Sequence, residues 1–191
     1  MYKLCKTEQS AARQKELEQG LLAAMSVQNY EEITISDLCK KMNIPRKSFY
    51  RYFTSKEGAL HALLDHTILE FEFLHFPMPD TAKGGFQNSL EQYFQFWYCQ
   101  KPLLDALERS GLSGVLIERS IVRALESSEK AGMFPAPELR DLRDHATMFG
   151  ICGLMSMVLN WHHSQYPHSV SHMAKLATQL LSRPLFTSEE Q

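Results

Sequence analysis

Closely spaced cysteines are missing from this 191-residue chain. Its four cysteines, Cys5, Cys39, Cys99 and Cys152, stand far apart and form no C-x-x-C pair. That argues against a zinc knuckle and against a thioredoxin-like redox motif. A secretory signal is not expected either, because the opening MYKLCKTEQSAARQ has no apolar stretch and no small-residue cleavage site. The longest apolar-leaning run, Ala146 to Trp161, is shorter than the ~20 residues of a membrane span, and Thr147, Ser156 and Asn160 interrupt it. A cytoplasmic chain with reduced cysteines is the expectation. Catalytic signatures are lacking too: no glycine-rich phosphate loop, no H-E-x-x-H and no Ser/His/Asp order, so no enzyme is expected. Strand-like alternation, internal repeats and low-complexity tracts are likewise missing.

What is present is a chain with 44% hydrophobic residues, enough for a real core. Its formal net charge of -2 is unevenly spread. Residues 1–56 carry ten Lys/Arg against six Asp/Glu, and residues 57–191 carry ten against sixteen. A basic first third on an acidic remainder suits a polyanion-binding module joined to something else.

Glycine and proline fall as punctuation between segments of helical length. A first helix is expected from about Ser10 to Val27, with Leu17, Leu21, Ala24 and Met25 on one stripe. A second opens at Thr34, where Asp37 three residues on resembles a capping box. Its inward residues are Leu38 and Met42, and it stops at Asn43, a residue that tolerates the left-handed conformation. Pro45 suits the first position of a third, short helix that ends near Phe53. Ser55 caps a fourth that reaches about Phe73.

Two short helices across a tight turn make a minimal helix-turn-helix. At about 100° per residue, Arg46, Lys47, Tyr50, Arg51 and Thr54 fall on one side of the second of them. Ser48, Phe49, Tyr52 and Phe53 fall on the other. No acidic residue occurs from Lys40 through Lys56, a stretch with six Lys/Arg. A cationic face backed by aromatic anchors is the pattern of a helix that enters the DNA major groove. Arg46 can bond guanine O6 and N7 in bidentate fashion, and Lys47 can reach a base edge or a phosphate. The tyrosine hydroxyl of Tyr50 suits a phosphate, and Thr34 and Lys56 sit at helix starts whose N–H groups favour phosphate oxygens. A merely solvated face is the competing reading of composition alone.

The stretch ITISDLCKKMNIPRKSFYRYFTSKEGAL, residues 33–60, resembles the DNA-binding motif of the TetR family. The elements that carry the resemblance are Thr34, the Leu38-Cys39 pair, Asn43-Ile44, and above all SFYRYF followed by SKE. The resemblance implies phosphate contacts from Tyr50 and Lys56 and base reading from the start of the third helix, at Arg46, Lys47 and Ser48, with Arg51 beside them. Four positions depart from the family pattern. Asn43 replaces a usual Gly, Cys39 a common Ala, and Lys47 a frequent Gly, while QNYEEIT lacks the usual Gly near Tyr30. Lys47 adds a cation at a base-facing position.

The resemblance further implies an all-α protein: a three-helix DNA-binding head, residues 1–56, followed by a helical bundle for ligand sensing and dimerisation, residues 57–191. Segment 86–99 is a dense aromatic helix, in which Phe94, Trp97 and Tyr98 either form ordinary core or line an effector pocket. The longest helix is expected from Pro137 to His163. It is apolar on every side in its second half, and so is expected to be buried all round. Met148, Ile151, Cys152, Met155 and Leu159 would face the pocket and core, so Met148, Cys152 and Met155 join the candidate ligand residues. Gly150, Gly153, Leu154, Met157 and Trp161 would face away. With a last helix, Ser169 to about Ser182, this helix would form the interface of a homodimer. His162, His163, His168 and His172 cluster without Cys or carboxylate partners, so no metal is expected, nor any cofactor. The functional expectation is a repressor that binds a near-palindromic operator and is released by a small-molecule effector through a shift of the fourth helix. An activator, a ligand-independent DNA-binding protein of the same fold, or a helical protein-interaction module remain alternatives.

Overall fold

A computed structural model describes residues 2–75, 85–131 and 143–182. Among these residues the chain is helical, in the order α1 (Glu8–Met25), a single 3-10 turn (Tyr30–Glu32), α2 (Ile35–Lys41), α3 (Arg46–Tyr50), α4 (Lys56–His75), α5 (Gly85–Cys99), α6 (Lys101–Arg109), α7 (Ser113–Ala131), α8 (Arg143–His163) and α9 (Val170–Ser182). The all-α expectation holds. The chain divides into two compact units: Met1–Leu69 with Pro102–Arg123, and Glu70–Lys101 with Ala124–Gln191.

In the first unit, α1 starts where the Thr7 hydroxyl accepts the Ser10 N–H at 3.2 Å. This satisfies one of the amides that a helix start leaves without an intrahelical partner. Its inward stripe is Leu17, Leu21, Ala24 and Met25, as its spacing predicts. A Cβ at Gly20 would overlap the Met42 side chain, so the glycine admits the end of α2 against α1. Phe49, Phe53, Leu60, Leu64, Leu103, Leu104 and Leu107 complete a core from which water is excluded. Burying each such side chain contributes roughly 1.5–3 kcal/mol. The unit extends past residue 56 because the first turns of α4 bury Ala59, Leu60, Ala62, Leu63 and Leu64. Arg109, at the end of α6, donates to the Met25 carbonyl at 3.2 Å and to that of Ser26, capping the open end of α1. The N–H of Tyr30 donates to the Ser110 hydroxyl at 3.0 Å.

The second unit packs α5 against α9 and α8. Leu90, Tyr93, Phe94, Phe96 and Trp97 are its buried aromatic and aliphatic row on α5, and Ala174 and Ala177 let α9 come close. Ser171 at the start of α9 donates to Glu91 Oε1 at 2.8 Å. Within this single chain only one side of α8 is buried. Met155, Val158 and Trp161 are buried, whereas Met148 and Phe149 stand in solvent, Phe149 with 66% of its surface exposed. Trp161 also reverses its expected direction and faces inward. Its ring meets Phe94 at 5.8 Å, and its N–H donates to the His168 carbonyl at 3.0 Å.

Candidate nucleic-acid interface

Helix α2 is fixed at both ends by its own residues. The Thr34 hydroxyl accepts the Asp37 N–H at 3.1 Å and donates to Asp37 Oδ2 at 2.6 Å. At the other end Asn43 takes the left-handed conformation with φ 52°. The Ile44 N–H then reaches the Cys39 carbonyl at 2.9 Å, and the Asn43 N–H reaches that of Lys40 at 3.1 Å. These two bonds satisfy carbonyls that the helix would otherwise leave open. Asn43 therefore does what the usual Gly does at this turn. Pro45 lies one position earlier than expected, as the extended residue before α3 (φ −67°, ψ 144°), because Arg46 is the first residue with helical bonding. The reading helix is also short, ending at Tyr50, with Arg51 closing it.

The two faces of α3 separate as the helical period requires. Phe49, Tyr52 and Phe53 are buried, with Phe49 and Phe53 rings 5.2 Å apart. Arg46, Lys47, Tyr50, Arg51 and Thr54 are exposed, and Ser48 is half-buried between the faces. Arg46 lies along its own helix: Nη2 donates to the Tyr50 hydroxyl at 3.3 Å, and its guanidinium carbon sits 5.8 Å from that ring's centroid. The Tyr50 contact raises the Arg46 pKa, so the cation persists. One exposed face thus presents three cations and a phenol, locked in place by three aromatic rings on its back.

Thr34 and Lys56 are engaged within the protein. The Thr34 hydroxyl serves as the α2 cap described above. Lys56 Nζ donates to the Tyr30 carbonyl at 2.6 Å and to that of Glu31 at 3.3 Å. Ser55 caps α4 by accepting the Gly58 N–H at 3.0 Å.

A profile of the family described as "Bacterial regulatory proteins, tetR family" matches residues 21–63, which span the end of α1 through the first turns of α4. Residues 21–63 thus carry a TetR-type DNA-binding domain. The HTH-type transcriptional regulator EthR of Mycolicibacterium smegmatis is 34% identical over 67 residues, 35% of this chain and 26% of that protein. The match thus spans about a quarter of EthR's length. The fatty acid degradation regulator FadR from Bacillus halodurans superposes with a TM-score of 0.57 at 15% identity, covering 95% of this chain and 98% of that one. A tetR-family regulator from Streptomyces coelicolor gives 0.54 at 17% identity, over 87% and 78%. A TetR/AcrR-family regulator from Thermobifida fusca gives 0.52 at 13%, over 92% and 100%. At these identities the likeness is one of fold.

Of the candidate ligand residues, Phe94, Trp97 and Met155 are buried, Cys152 is half-buried, and Tyr98 and Met148 are exposed, 46% and 41%. The α5 aromatics meet α8 at Trp161: Phe94 at 5.8 Å and Tyr98 at 5.8 Å. Sequence reading passed over Tyr93, whose ring packs on Phe71, Phe94 and Trp97. The hydroxyl of Tyr93 and the indole N–H of Trp97 are both buried, and neither makes a hydrogen bond among the described residues. The indole N–H lies near enough to lower the phenol's pKa, yet the pair falls outside hydrogen-bond geometry. Burial dominates and raises that pKa, with no contribution from an ionised group. The histidines do not converge: His162 is buried edge-on to Tyr166 at 5.6 Å, while His168 and His172 stack on each other at 4.5 Å.

Proposed function

We propose that this chain is a TetR-family repressor that binds a near-palindromic operator as a homodimer, with residues 1–56 reading DNA and residues 57–191 sensing a ligand and dimerising. The observation that carries the reading is the division of α3. Arg46, Lys47, Tyr50 and Arg51 are exposed on one side, while Phe49, Tyr52 and Phe53 are buried on the other. Arg46, Lys47 and Ser48 lead the helix into the major groove, and Tyr50 and Arg51 flank the backbone. Thr34 and Lys56 stand at the starts of α2 and α4, where the open N–H groups favour phosphate. Lys56 would exchange the Tyr30 carbonyl for a phosphate oxygen or hold its turn against the backbone.

Dimerisation is supported by the apolar side chains that α8 and α9 leave exposed in the single chain. Phe149 on α8 and Leu180 and Leu181 on α9 are exposed, and a Cβ at Gly150 or Gly153 would meet nothing within 4 Å. Small residues beside exposed apolar ones let a second helix pair approach closely, and an isologous contact closes the assembly as a dimer.

The effector we infer is a neutral, largely apolar molecule with one hydrogen-bond acceptor, held by Phe94, Trp97, Tyr98 and Met155 with Met148 and Cys152 beside them. Support comes from the buried donors of Tyr93 and Trp97 among aromatic rings without an ionised neighbour. Buried donors strongly favour a partner. Release follows if the ligand prefers a state in which α4 is displaced. A coupling of about 1–3 kcal/mol changes operator affinity roughly 5- to 150-fold. The protein would act in the cytoplasm, where the operator is.

Selection of bound duplexes from a random pool at about physiological salt tests the reading, since phosphate contacts make affinity salt-dependent. Enrichment of a palindrome supports a dimeric reader. Salt-sensitive binding with no enrichment favours the protein-interaction alternative, in which the basic head meets an acidic partner.

A further inference from the structure

The arm ahead of α1 is attached to the reading helix and to a buried ion pair at once. Tyr2 forms an antiparallel bridge with Phe53, and the Lys3 N–H donates to the Tyr52 carbonyl at 3.0 Å. Tyr52 and Phe53 directly follow α3. The Tyr2 phenol, meanwhile, donates to Asp65 Oδ2 on α4 at 2.7 Å. Asp65 is only 1% exposed, and Arg119 on α7 grips its carboxylate twice, Nε to Oδ1 at 2.6 Å and Nη2 to Oδ2 at 2.5 Å. The Tyr2 ring stands edge-on to His66 at 5.5 Å, and His66 Nδ1 lies 2.9 Å from Glu18 Oε1 on α1.

A buried carboxylate needs its partners, because an ionised group out of water without them is costly. Asp65 has two of them, on different segments. Burial and the Asp65 charge both raise the Tyr2 pKa, so the phenol stays protonated and keeps donating. Arg119 fixes α7 to α4, and Tyr2 fixes the end of α3 to the same carboxylate. Both α4 and α7 run on beyond this unit, past Leu69 and Arg123.

We propose that Tyr2 is a positioning residue for DNA reading: the arm Tyr2–Lys3 straps the end of α3 to the Asp65–Arg119 pair, so that α4 and α7 together set the pose of the reading face. The strap rests on the DNA-reading role of α3 proposed above. It adds to the aromatic core under α3 a second route by which a displacement of α4 or α7 reaches Arg46 and Lys47. No part of the strap needs to touch DNA.

Two variants separate its halves. Tyr2→Phe removes the hydroxyl bond to Asp65 and keeps the backbone bridge. Lys3→Pro removes the N–H given to Tyr52 and leaves Asp65 alone. Amide hydrogen exchange on the free full-length protein is read at Arg51, Tyr52 and Phe53, and at Leu17–Met25 of α1 as reference. Faster exchange at residues 51–53 with α1 unchanged is expected for both variants. Affinity for the duplex that wild-type protein selects is expected to fall about 5- to 10-fold, within the usual span of coupling effects, with the ranking of base substitutions unchanged. Unchanged exchange at residues 51–53 overturns the strap. So does a uniform rise that includes α1, which marks general destabilisation, or faster exchange with unaltered DNA affinity. If wild-type protein selects no sequence, DNA reading by α3 fails, and the strap fails with it as a positioning device. The exchange data then report only whether the arm holds α3.

Discussion

Lys56 Nζ sits 4.2 Å from the centroid of the Tyr30 ring while donating to the carbonyl of the same residue at 2.6 Å. The first residue of α4 is thereby tied to the 3-10 turn that precedes α2. Lys56→Met keeps the side chain's length and removes the charge. It is expected to lower stability in urea by about 1–2 kcal/mol, the scale of one charge-assisted bond plus one cation–π contact. An unchanged urea midpoint would mean that the tie contributes nothing in solution.

Asn43 holds the helix-turn-helix turn at positive φ. Ala at that position meets the steric cost of the left-handed region, about 1–2 kcal/mol, whereas Gly does not. Thermal unfolding is expected to rank Asn43→Gly at or above wild type and Asn43→Ala below it. Equal stabilities for the two variants would contradict the turn's assignment.

Phe149 is 66% exposed on α8, and no side chain lies within 4 Å of a Cβ built at Gly153. Gly153→Glu and Phe149→Glu place a charge where the second protomer is proposed to pack. Light scattering after size exclusion is expected to show a wild-type dimer and monomeric variants at micromolar concentration. Dimeric variants would move the interface elsewhere.

Tyr93→Phe removes a buried hydroxyl that has no partner among the described residues. Stability of the free protein is expected to rise by about 1 kcal/mol, since an unsatisfied buried group costs on that order. A matched pair of probes, an alkyl phenyl ketone and the corresponding alkylbenzene, reads the other half. Wild-type protein is expected to bind the ketone about tenfold more tightly by thermal shift, and the variant to lose that preference, at the usual worth of one hydrogen bond. A ketone preference that survives in the variant removes Tyr93 from the effector reading.

The head was readable in the sequence because its determinants are local. Thr34 caps a helix three residues from its partner, Asn43 ends the same helix, and the period of α3 sorts Arg46 and Lys47 from Phe49 and Phe53. The arm was not readable, because the Tyr2–Asp65 bond joins residues 63 apart, and Arg119 lies a further 54 residues along the chain from Asp65. A carboxylate amid LHALLDHTILEF hints at a buried partner but names none. Helix α8 is only partly legible for a related reason. Apolar residues on every side of a helix say that all sides are to be covered, without saying which by the same chain and which by another. Periodicity alone puts Trp161 on the outward side, whereas its N–H meets the His168 carbonyl. The ends of Pro137–His163 before Arg143 lie outside the described residues.

The base preference of Arg46→Ala, measured against wild type on the selected operator and its single-base-pair variants, tests the central claim most directly. If α3 reads DNA through Arg46, affinity for the operator falls by about 1–3 kcal/mol and discrimination is lost at one symmetric base pair in each half-site, while other positions keep theirs. Unchanged affinity and an unchanged preference at every position would contradict the assignment of this face to DNA.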